Sequence, residues 1–449
     1  MKLESGSLTV LHDMVDRLEQ GFVDLPDTDR TYDVESLRAV LLEVAERMQD
    51  NFPYQHPLYA GQMLKPPHPV ARLAYMLSLW INPNNHALDG GRASSSMEKE
   101  AVAALAGLLG WKTHLGHLTS GGTMANLEAL WVAGRLQPGK TIVASEQSHY
   151  THGRITEVLG LPFQTVECDS TARMNVNALA HLLKRGDIGT VVATAGTTGT
   201  GSVDPIGEIL KLKERYGFRF HIDAAYGGYF ILARNLREET RKSLGLLSEA
   251  DSVVIDPHKH GLQPYGCGCV LFRDPAVGAL YKHDSPYTYF SSTELHLGEI
   301  SLECSRPGAA AVALWATQRL LPMTRGGDFA AGLERSREAA LQLHSRLRND
   351  HRFLTFLDPE LDIEVWAPLA GRVSEVSRRS REMFTRAAAR NLHLALFSYP
   401  TRLLGEAAGE LEVDEEQITC LRSCLMKPEH LDWIDRIWQI LQYTAEEIS

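Results

Sequence analysis

The sequence predicts an α/β protein with a mostly parallel central sheet, on two observations. Strand and helix patterns alternate along the chain from about residue 98 onwards. The strand patterns are short β-branched or apolar runs separated by helical stretches, and the clearest are TIVASE, TVVATA, RFHIDAAY and DSVVID. Such alternation is typical of a parallel sheet whose two faces are covered by helices. A chain of 449 residues is long enough to bury the core that this architecture needs.

The chain is expected to divide into three parts. Residues 1–75 are helical and interrupted by prolines, so we expect them to wrap around the main domain or a partner subunit. Residues 76–330 carry the strand–helix alternation and form the large domain. In residues 331–449, a stretch with helical periodicity that is rich in Arg, Glu, Ala and Leu precedes strand patterns and a last helix. That order predicts a smaller α+β domain.

Composition excludes several classes of protein. The chain has 45 Lys and Arg against 56 Asp and Glu, a net charge of −11, whereas a nucleic-acid binder usually carries a basic face. The sequence contains no run of 18 apolar residues, so it predicts no membrane-spanning helix, and the N-terminus is too polar for a signal peptide. The six cysteines include no CxxC pair, which favours reduced thiols and a cytoplasmic protein.

Histidine clusters raise the question of a metal site. They occur in SHYTH, HID and HKH, but neither an HExxH motif nor paired CxxC motifs are present. Lys259 would also repel a cation from the HKH cluster. We therefore expect no metal site. Cys267 and Cys269 enter an apolar strand, which favours buried structural thiols over a nucleophile.

The segment SGGT, residues 120–123, directly precedes the helical text MANLEALWVAG. Small residues let backbone amides approach a ligand closely, and a helix start presents unpaired N–H groups and a positive dipole end. Both features suit a phosphate group. An ordinary glycine turn with a threonine cap explains the segment about as well when it is taken alone.

Two further segments place charged side chains at the ends of predicted strands. Asp223 ends a strand in HIDAAYGG, and Lys259 follows the next strand in DPHKHG. The carboxyl ends of parallel strands face the ligand crevice of a sheet. Taken singly, each residue has a simpler interpretation: a capping residue for Asp223, which is the less favoured one, and a surface lysine for Lys259, which explains it equally well. Together with the SGGT segment they form the set that pyridoxal 5'-phosphate requires: a phosphate cradle, a carboxylate for the pyridine nitrogen and a lysine for a Schiff base.

Over residues 56–426 the sequence resembles the group II pyridoxal-phosphate-dependent amino-acid decarboxylases, which include glutamate, aromatic-amino-acid and archaeal tyrosine/aspartate decarboxylases. The segments that carry the resemblance are DPHKH, HIDAAYGG, SGGTMAN and QSHYTHGRITEVLG. The resemblance implies the aspartate-aminotransferase-like architecture called fold type I. It also implies a homodimer with shared active sites that acts on a small amino-acid substrate.

The resemblance implies a role for each matching residue of the site. Lys259 is the Schiff-base lysine with His258 beside it, and Asp223 is the partner of the pyridine nitrogen. Ala225 packs on one face of the cofactor ring, while His149 stacks on the other face and assists proton transfer. The remaining implied cofactor contacts are Gly122, Thr123 and Thr198.

Other matches concern the substrate. Arg422, in CLRSCL, resembles a small-domain arginine near the substrate carboxylate. Arg306, in SRPG, is either a second anion contact or a helix-start arginine. Gln62, in AGQM, is similar to a feature of glutamate decarboxylases, but one residue does not set specificity.

A mobile loop of the family carries a tyrosine that protonates the carbanion once carbon dioxide has left. Residues 283–300 fall in that position here, and Tyr287 aligns best, with Tyr289 close enough to leave the choice open. A retained tyrosine favours simple decarboxylation over oxidative deamination.

The function expected from the sequence is decarboxylation of an L-amino acid to a primary amine and carbon dioxide, with pyridoxal 5'-phosphate held on Lys259. Two alternatives use the same cofactor: a lyase that cuts a Cα–Cβ bond, and an aldehyde synthase that depends on decarboxylation. A non-catalytic interaction protein is a more remote alternative. The side chain of the substrate is left open, because family members accept aromatic, acidic and basic amino acids.

Overall fold

The structure is a computed structural model that describes residues 5–26, 32–282, 295–405, 409 and 411–448. The helices are α1 Ser5–Glu19, α2 Val34–Arg47, α3 Pro69–Ile81, α4 Leu88–Leu108, α5 Gly122–Leu136, α6 Thr151–Val158, α7 Val176–Leu183, α8 Ile206–Tyr216, α9 Glu238–Gly245, α10 Ala309–Leu320, α11 Asp328–Arg348, α12 Val373–Ala389 and α13 His430–Glu447. The strands are β1 Leu115–Thr119, β2 Thr141–Ser145, β3 Phe163–Val166, β4 Ile188–Thr194, β5 Arg219–Asp223, β6 Ser252–Ile255, β7 Gly268–Phe272, β8 Phe353–Thr355, β9 Ile363–Pro368, β10 Ala395–Pro400 and β11 Gln417–Cys424.

The larger sheet has seven strands in the order β1-β7-β6-β5-β4-β2-β3. Its pairs from β6 to β3 are parallel, while β7 runs antiparallel to both β6 and β1. Every residue of the central strands β4 and β6 is buried, as expected for apolar strands covered on both faces. The predicted mostly parallel central sheet is thus confirmed, and fold type I with it.

The topology brings four strand ends to one edge of this sheet. Strands β4, β5 and β6 are mutually parallel, and β1 shares their direction because both β1 and β6 run antiparallel to β7. Their carboxyl ends lead into Ser120, Gly196, Asp223 and Asp256. In open α/β sheets this edge is where ligands bind.

A second, four-stranded antiparallel sheet has the order β10-β11-β9-β8. Helices α11 and α12 pack on it, and α13 packs on these two helices. Their shared core contains Leu343, Trp366, Leu421 and Ile437. The smaller α+β unit expected near the C-terminus is therefore present, while its boundary at residue 330 and the boundary at residue 75 stay predictions.

The N-terminal segment contacts the small unit as well as the large one. Helix α1 packs on α3, which packs on α10. The backbone near Ala60 pairs with the small unit, where Ala60 N donates to His393 O at 2.8 Å and Cys424 N donates to Ala60 O at 2.8 Å. Within the described ranges, no helix is both long and apolar enough to cross a membrane.

Candidate active site

A cavity of about 290 Å³ lies at the carboxyl edge of the large sheet. Loops that follow β1, β4, β5 and β6 supply most of its wall. The lining residues are Ser120, Gly121, Gly122, Thr123, Met124, Asn126, His149, Thr151, Thr194, Gly196, Thr198, Asp223, Ala225, Tyr226, Asp256, His258 and Lys259. The cavity therefore brings together eight of the residues named from the sequence: Gly122, Thr123, His149, Thr198, Asp223, Ala225, His258 and Lys259.

One end of the cavity is formed by the turn between β1 and α5. Helix α5 begins at Gly122, so its unpaired N–H groups and its positive dipole end lie at the cavity. A Cβ atom on Gly122 would lie 2.5 Å from Asp256 Oδ2, and Gly121 has a φ of 155°. Glycine is needed here because the backbone approaches the opposite wall too closely for a side chain. An anion fits this end of the cavity.

Asp223 is a buried carboxylate held by three donors. Its Oδ2 lies 3.0 Å from His152 Nε2 and accepts from Asn126 Nδ2 at 3.2 Å, while Oδ1 accepts from Ala225 N at 3.1 Å. Burial by itself raises the pKa of Asp223, but the hydrogen bond and charge of His152 and the charge of Lys259 hold it well below its ordinary value. The carboxylate therefore stays ionised and presents a negative charge to the cavity.

His221 lies behind Asp223 and completes a hydrogen-bonded chain. Its Nε2 is 2.9 Å from Asn126 Oδ1, and its Nδ1 is 2.9 Å from Ser252 Oγ. Since Asn126 Oδ1 can only accept, Nε2 carries the proton and Ser252 donates to Nδ1. Burial lowers the pKa of His221 to about 3, so the ring is neutral at neutral pH. The neutral ring orients Asn126 toward Asp223.

Lys259 contacts a second carboxylate. Its Nζ lies 3.1 Å from Asp256 Oδ2, and the lysine side chain keeps 19% of its surface exposed toward the cavity. His258 is fixed by a 2.8 Å hydrogen bond from Nδ1 to the carbonyl oxygen of Cys267. Burial lowers the pKa of His258, which favours the neutral ring. Asp256 thus balances the charge of Lys259 inside a largely buried pocket.

His149 enters the cavity from the start of α6. Its Nδ1 lies 2.7 Å from Thr151 Oγ1. Burial lowers the pKa of His149, and the negative charge of Asp223 opposes that effect. The ring is therefore neutral at neutral pH and able to pack against an aromatic ligand.

The two candidate substrate-binding residues Arg422 and Gln62 contact each other, and Arg422 also contacts Thr198. Arg422 Nη1 donates to Thr198 O at 2.8 Å, and its Nη2 donates to Gln62 Oε1 at 3.0 Å. The guanidinium is buried, with 6% of the residue exposed. Of these three residues, Thr198 is the one that lines the cavity. Arg422 is connected to the cavity through Thr198, and Gln62 is connected to it through Arg422.

Arg306 occupies a different environment. Its Nη1 contacts Glu98 Oε1 at 2.9 Å and also donates to the carbonyl oxygen of Leu118. In the described part of the chain Arg306 is not among the residues that line the cavity. Of the two roles considered for this arginine, the geometry favours a structural one. Tyr287 and Tyr289 lie outside the described residues.

Two members of the site did not emerge from the sequence. His152, the second histidine of SHYTH, suggests only a metal ligand in the sequence, but in the structure it contacts Asp223. Asp256 is the first residue of DPHKHG, and in the structure it contacts Lys259. The spacings offer a signal for both, because residues three apart share one face of a helical turn: His149 with His152, and Asp256 with Lys259. The contact of His152 with Asp223, which are 71 residues apart, has no such signal in the sequence.

The cavity fits pyridoxal 5'-phosphate. The turn before α5 suits the phosphate, Asp223 offers a permanent negative charge, and Lys259 offers an amine. The Thr194 Oγ1 and Asp256 Oδ1 atoms line the cavity and are buried without a hydrogen-bond partner among the described residues. Unsatisfied buried polar atoms are costly, so a polar ligand at this place would stabilise the protein. Fold and site thus define a pyridoxal-phosphate enzyme.

Comparison with known proteins identifies the family. Residues 34–365 match the family model described as the pyridoxal-dependent decarboxylase conserved domain. The chain belongs to this family, and its reaction is the pyridoxal-phosphate-dependent decarboxylation of an amino acid. The family and the reaction predicted from the sequence are thus confirmed.

Individual relatives agree with this assignment. The chain is 30% identical over 307 residues to a probable L-tyrosine/L-aspartate decarboxylase of Methanothermobacter thermautotrophicus, covering 68% of this chain and 79% of the relative. It is 33% identical over 282 residues to the L-aspartate decarboxylase of Thermococcus kodakarensis, covering 62% and 71%. The crystal structure of Oryza sativa TDC with PLP and tryptamine has the same fold, with a TM-score of 0.79 at 16% identity, covering 100% and 99%.

The buried neutral His221 predicts how stability depends on pH. Its pKa is about 3 in the folded protein, whereas an unfolded histidine titrates near 6.5, so only the unfolded chain gains a proton between these values. Stability is therefore lost as the pH falls below about 6.5, by up to about 1.4 kcal/mol per pH unit. In His221→Gln this slope should become shallower by about that amount, measured by urea unfolding of the cofactor-free protein.

The exposed His181 provides the control for this measurement. His181→Gln should leave the slope as it is in the unsubstituted protein, because a ring in water has the same surroundings before and after unfolding. Equal slopes for His221→Gln and the unsubstituted protein would show that His221 is already protonated in the fold.

Proposed function

We propose that the cavity at the carboxyl edge of the large sheet is the decarboxylase active site, with Lys259 as the residue that attaches pyridoxal 5'-phosphate. One observation carries this assignment. A buried, ionised carboxylate, Asp223, and a partly exposed lysine, Lys259, line the same cavity, to which the start of α5 contributes an anion site. The resulting reaction converts an L-amino acid to a primary amine and carbon dioxide.

When bound, pyridoxal 5'-phosphate supplies an aromatic electron sink for the electron pair that the departing carboxylate leaves behind. Asp223 would keep a proton on the pyridine nitrogen of the cofactor, because its own pKa is too low for it to take that proton. His152 and Asn126 fix the orientation of the Asp223 carboxylate through their hydrogen bonds. The permanent charge of Asp223 therefore strengthens the electron sink.

Lys259 would attach the cofactor and later carry protons to and from it. Asp256, 3.1 Å away, holds the free lysine inside the cavity. His149 and Ala225 are proposed to pack against the two faces of the cofactor ring, since both line the cavity. Packing from both sides excludes water from the reacting atoms.

The phosphate would bind at the start of α5. The segment around Gly122 and Thr123 provides backbone N–H groups and the positive end of the helix dipole. Thr198 extends this wall, and His258 lies beside Gly121, where a Cβ atom would be 3.5 Å from His258 Cε1. These residues orient the cofactor; they take no part in proton transfer.

We propose Arg422 as the residue that attracts the substrate carboxylate, with Gln62 holding its guanidinium in place. A bidentate guanidinium is well suited to carboxylates, and this one lies against the cavity wall at Thr198. The names of the relatives point to L-aspartate and L-tyrosine as the first substrates to examine. Tyr287 or Tyr289 remains the proposed proton donor to the reacting carbon.

A homodimer is proposed from the exposed face of α2. The apolar side chains Val34, Leu37, Leu41 and Val44 recur at alternating spacings of three and four residues and are 49–60% exposed. That spacing places them on one face of the helix, as in helices that pair with one another. A second copy of the chain would cover this face.

All six cysteines are free thiols, which supports the proposed cytoplasmic location.

Replacing the attachment lysine tests the proposed site. In Lys259→Ala both turnover and the visible absorbance of the bound cofactor should be lost. Borohydride reduction of the unsubstituted enzyme followed by peptide mass analysis should find the cofactor adduct on Lys259. Lys259→Arg keeps a positive charge near Asp256 and should fold normally but remain inactive, while the exposed Lys184→Ala should be fully active. An adduct on any other lysine would refute the assignment.

A carbon-dioxide release screen over the twenty L-amino acids and 2,4-diaminobutyrate should identify L-aspartate or L-tyrosine. Arg422→Met should raise KM for that substrate about tenfold or more, because a hydrogen bond to a charged group is lost. Arg381, an exposed arginine on α12, provides the control, and Arg381→Met should leave KM unchanged. Ammonia and peroxide as products, in place of the amine, would instead identify an aldehyde synthase.

The dimer is tested by placing a charge on the apolar face of α2. Leu41→Glu should convert the dimer to a monomer in analytical ultracentrifugation, because a buried unpaired carboxylate is costly. Ala39→Glu puts the same side chain on another face of the helix and should leave the dimer intact. Identical sedimentation of the two variants would show that this face is not the interface.

A further inference from the structure

A buried cluster behind the active site connects the small sheet to Lys259. Its centre is Asp362, which directly precedes β9 and is 0% exposed. Asp362 Oδ1 accepts a hydrogen bond from Tyr226 Oη at 2.6 Å, and Asp362 Oδ2 packs 3.3 Å from His260 Nε2 without hydrogen-bond geometry. Tyr226 lines the cofactor cavity, and His260 immediately follows Lys259 in the chain.

Aromatic contacts fix the ring of His260. It meets the Tyr226 ring at 66° with centroids 4.7 Å apart, and the Phe230 ring at 77° with centroids 5.0 Å apart. Edge-to-face contacts of this kind define the orientation of a ring. Burial lowers the pKa of His260 well below its ordinary value, so the ring is neutral. His260 is neutral, is packed on its ring edges and is not among the described residues that line the cavity. It is therefore suited to hold its neighbours in position and not to transfer protons at the cofactor.

The backbone around Asp362 is tightly docked against the cofactor cavity. Leu361 Cδ1 would be 2.9 Å from a Cβ atom on Gly196 and 3.0 Å from one on Gly227, so the Leu361 side chain packs directly against the backbone of both glycines. Gly196 itself lines the cavity. On the other side, Leu425 N donates to Asp362 O at 2.8 Å and ties the segment to the small unit. A displacement of the small unit would therefore be transmitted to the cavity wall.

The N-terminal segment supplies the charge that opposes Asp362. Burial raises the pKa of Asp362, while the hydrogen bond from Tyr226 and the positive charge of Lys65 counteract that effect. Lys65 Nζ also donates to Met426 O at 3.3 Å. Removing the Asp362 carboxylate would remove the acceptor of the Tyr226 hydroxyl group and the negative charge that opposes Lys65.

We propose that Asp362 is a positioning residue for catalysis, which holds Tyr226 by a hydrogen bond, packs against His260 and through these two residues sets the place of Lys259 in the cavity. This inference rests on the proposed role of Lys259 as the cofactor-bearing residue. Asp362 lies outside the set of cavity-lining residues in the described ranges, so it acts only through its neighbours. The small unit thereby contributes to the reaction as well as to stability.

Asp362→Ala is the principal test. Measured at saturating cofactor, its kcat should fall about tenfold or more, because small displacements of a reacting group are costly, while KM stays within about twofold. The induced circular dichroism of the bound cofactor should change in the same variant, because that signal reports how the cofactor is oriented in its pocket. Asp362→Asn keeps an oxygen acceptor for Tyr226 and should recover most of both signals.

Glu364 provides a matched control. It lies two residues further along the chain, is also 0% exposed, and pairs with His344 at 3.1 Å inside the small unit. Glu364→Gln changes a buried carboxyl group in β9, close to Asp362 in the chain, that has neither a hydrogen bond nor an ion pair with Tyr226 or His260 among the described residues. It should lower the thermal midpoint but leave both kcat and the circular dichroism of the cofactor unchanged.

Tyr226→Phe keeps the ring and removes only the hydroxyl group, so it tests the same connection if Asp362→Ala does not fold. It should change the circular dichroism in the same direction as Asp362→Ala. The inference is overturned if Tyr226→Phe, or a folded Asp362→Ala, gives the spectrum and kcat of Glu364→Gln. Failure of the proposed function would differ, because the unsubstituted protein would then show no cofactor on Lys259.

Discussion

The site depends on keeping one carboxylate charged where water is scarce. Asp223 is 5% exposed at the end of a central strand, and an isolated charge there would cost several kcal/mol. His152, Asn126 and the amide of Ala225 compensate that cost through hydrogen bonds. Asp223 therefore keeps its negative charge, and a charged carboxylate is what a pyridine nitrogen requires from its partner.

A second carboxylate has a different task because its surroundings differ. Asp256 follows the neighbouring strand β6 and contacts Lys259, whose charge it balances. Asp223 is held by a histidine and an amide, whereas Asp256 is held by the lysine that would bear the cofactor. In the proposed site, two aspartates at adjacent strand ends would thus have different tasks: Asp223 would maintain the electron sink, and Asp256 would hold the lysine that attaches the cofactor.

The small unit takes part in this arrangement through close packing. Arg422 on β11 touches the cavity wall at Thr198, and Asp362 before β9 touches it at Tyr226. Both are buried charged side chains whose partners come from the large sheet or from the N-terminal segment. Because such charges are stable only with their partners in place, the relative position of the two units and the geometry of the cavity depend on each other.

The amino-acid sequence by itself determined the parallel sheet, the smaller α+β unit, the family, the cofactor and the residues at the strand ends. Periodicity, strand composition and short motifs encode these features locally, and the carboxyl ends of parallel strands meet at one edge by geometry. Tertiary structure alone decided which side chains are partners. The pairs His152 with Asp223, Arg306 with Glu98, and His260 with Asp362 join segments 71 to 208 residues apart. No local pattern encodes such pairs, because they form only when the folded core excludes water and each buried polar group must pack against a compatible neighbour.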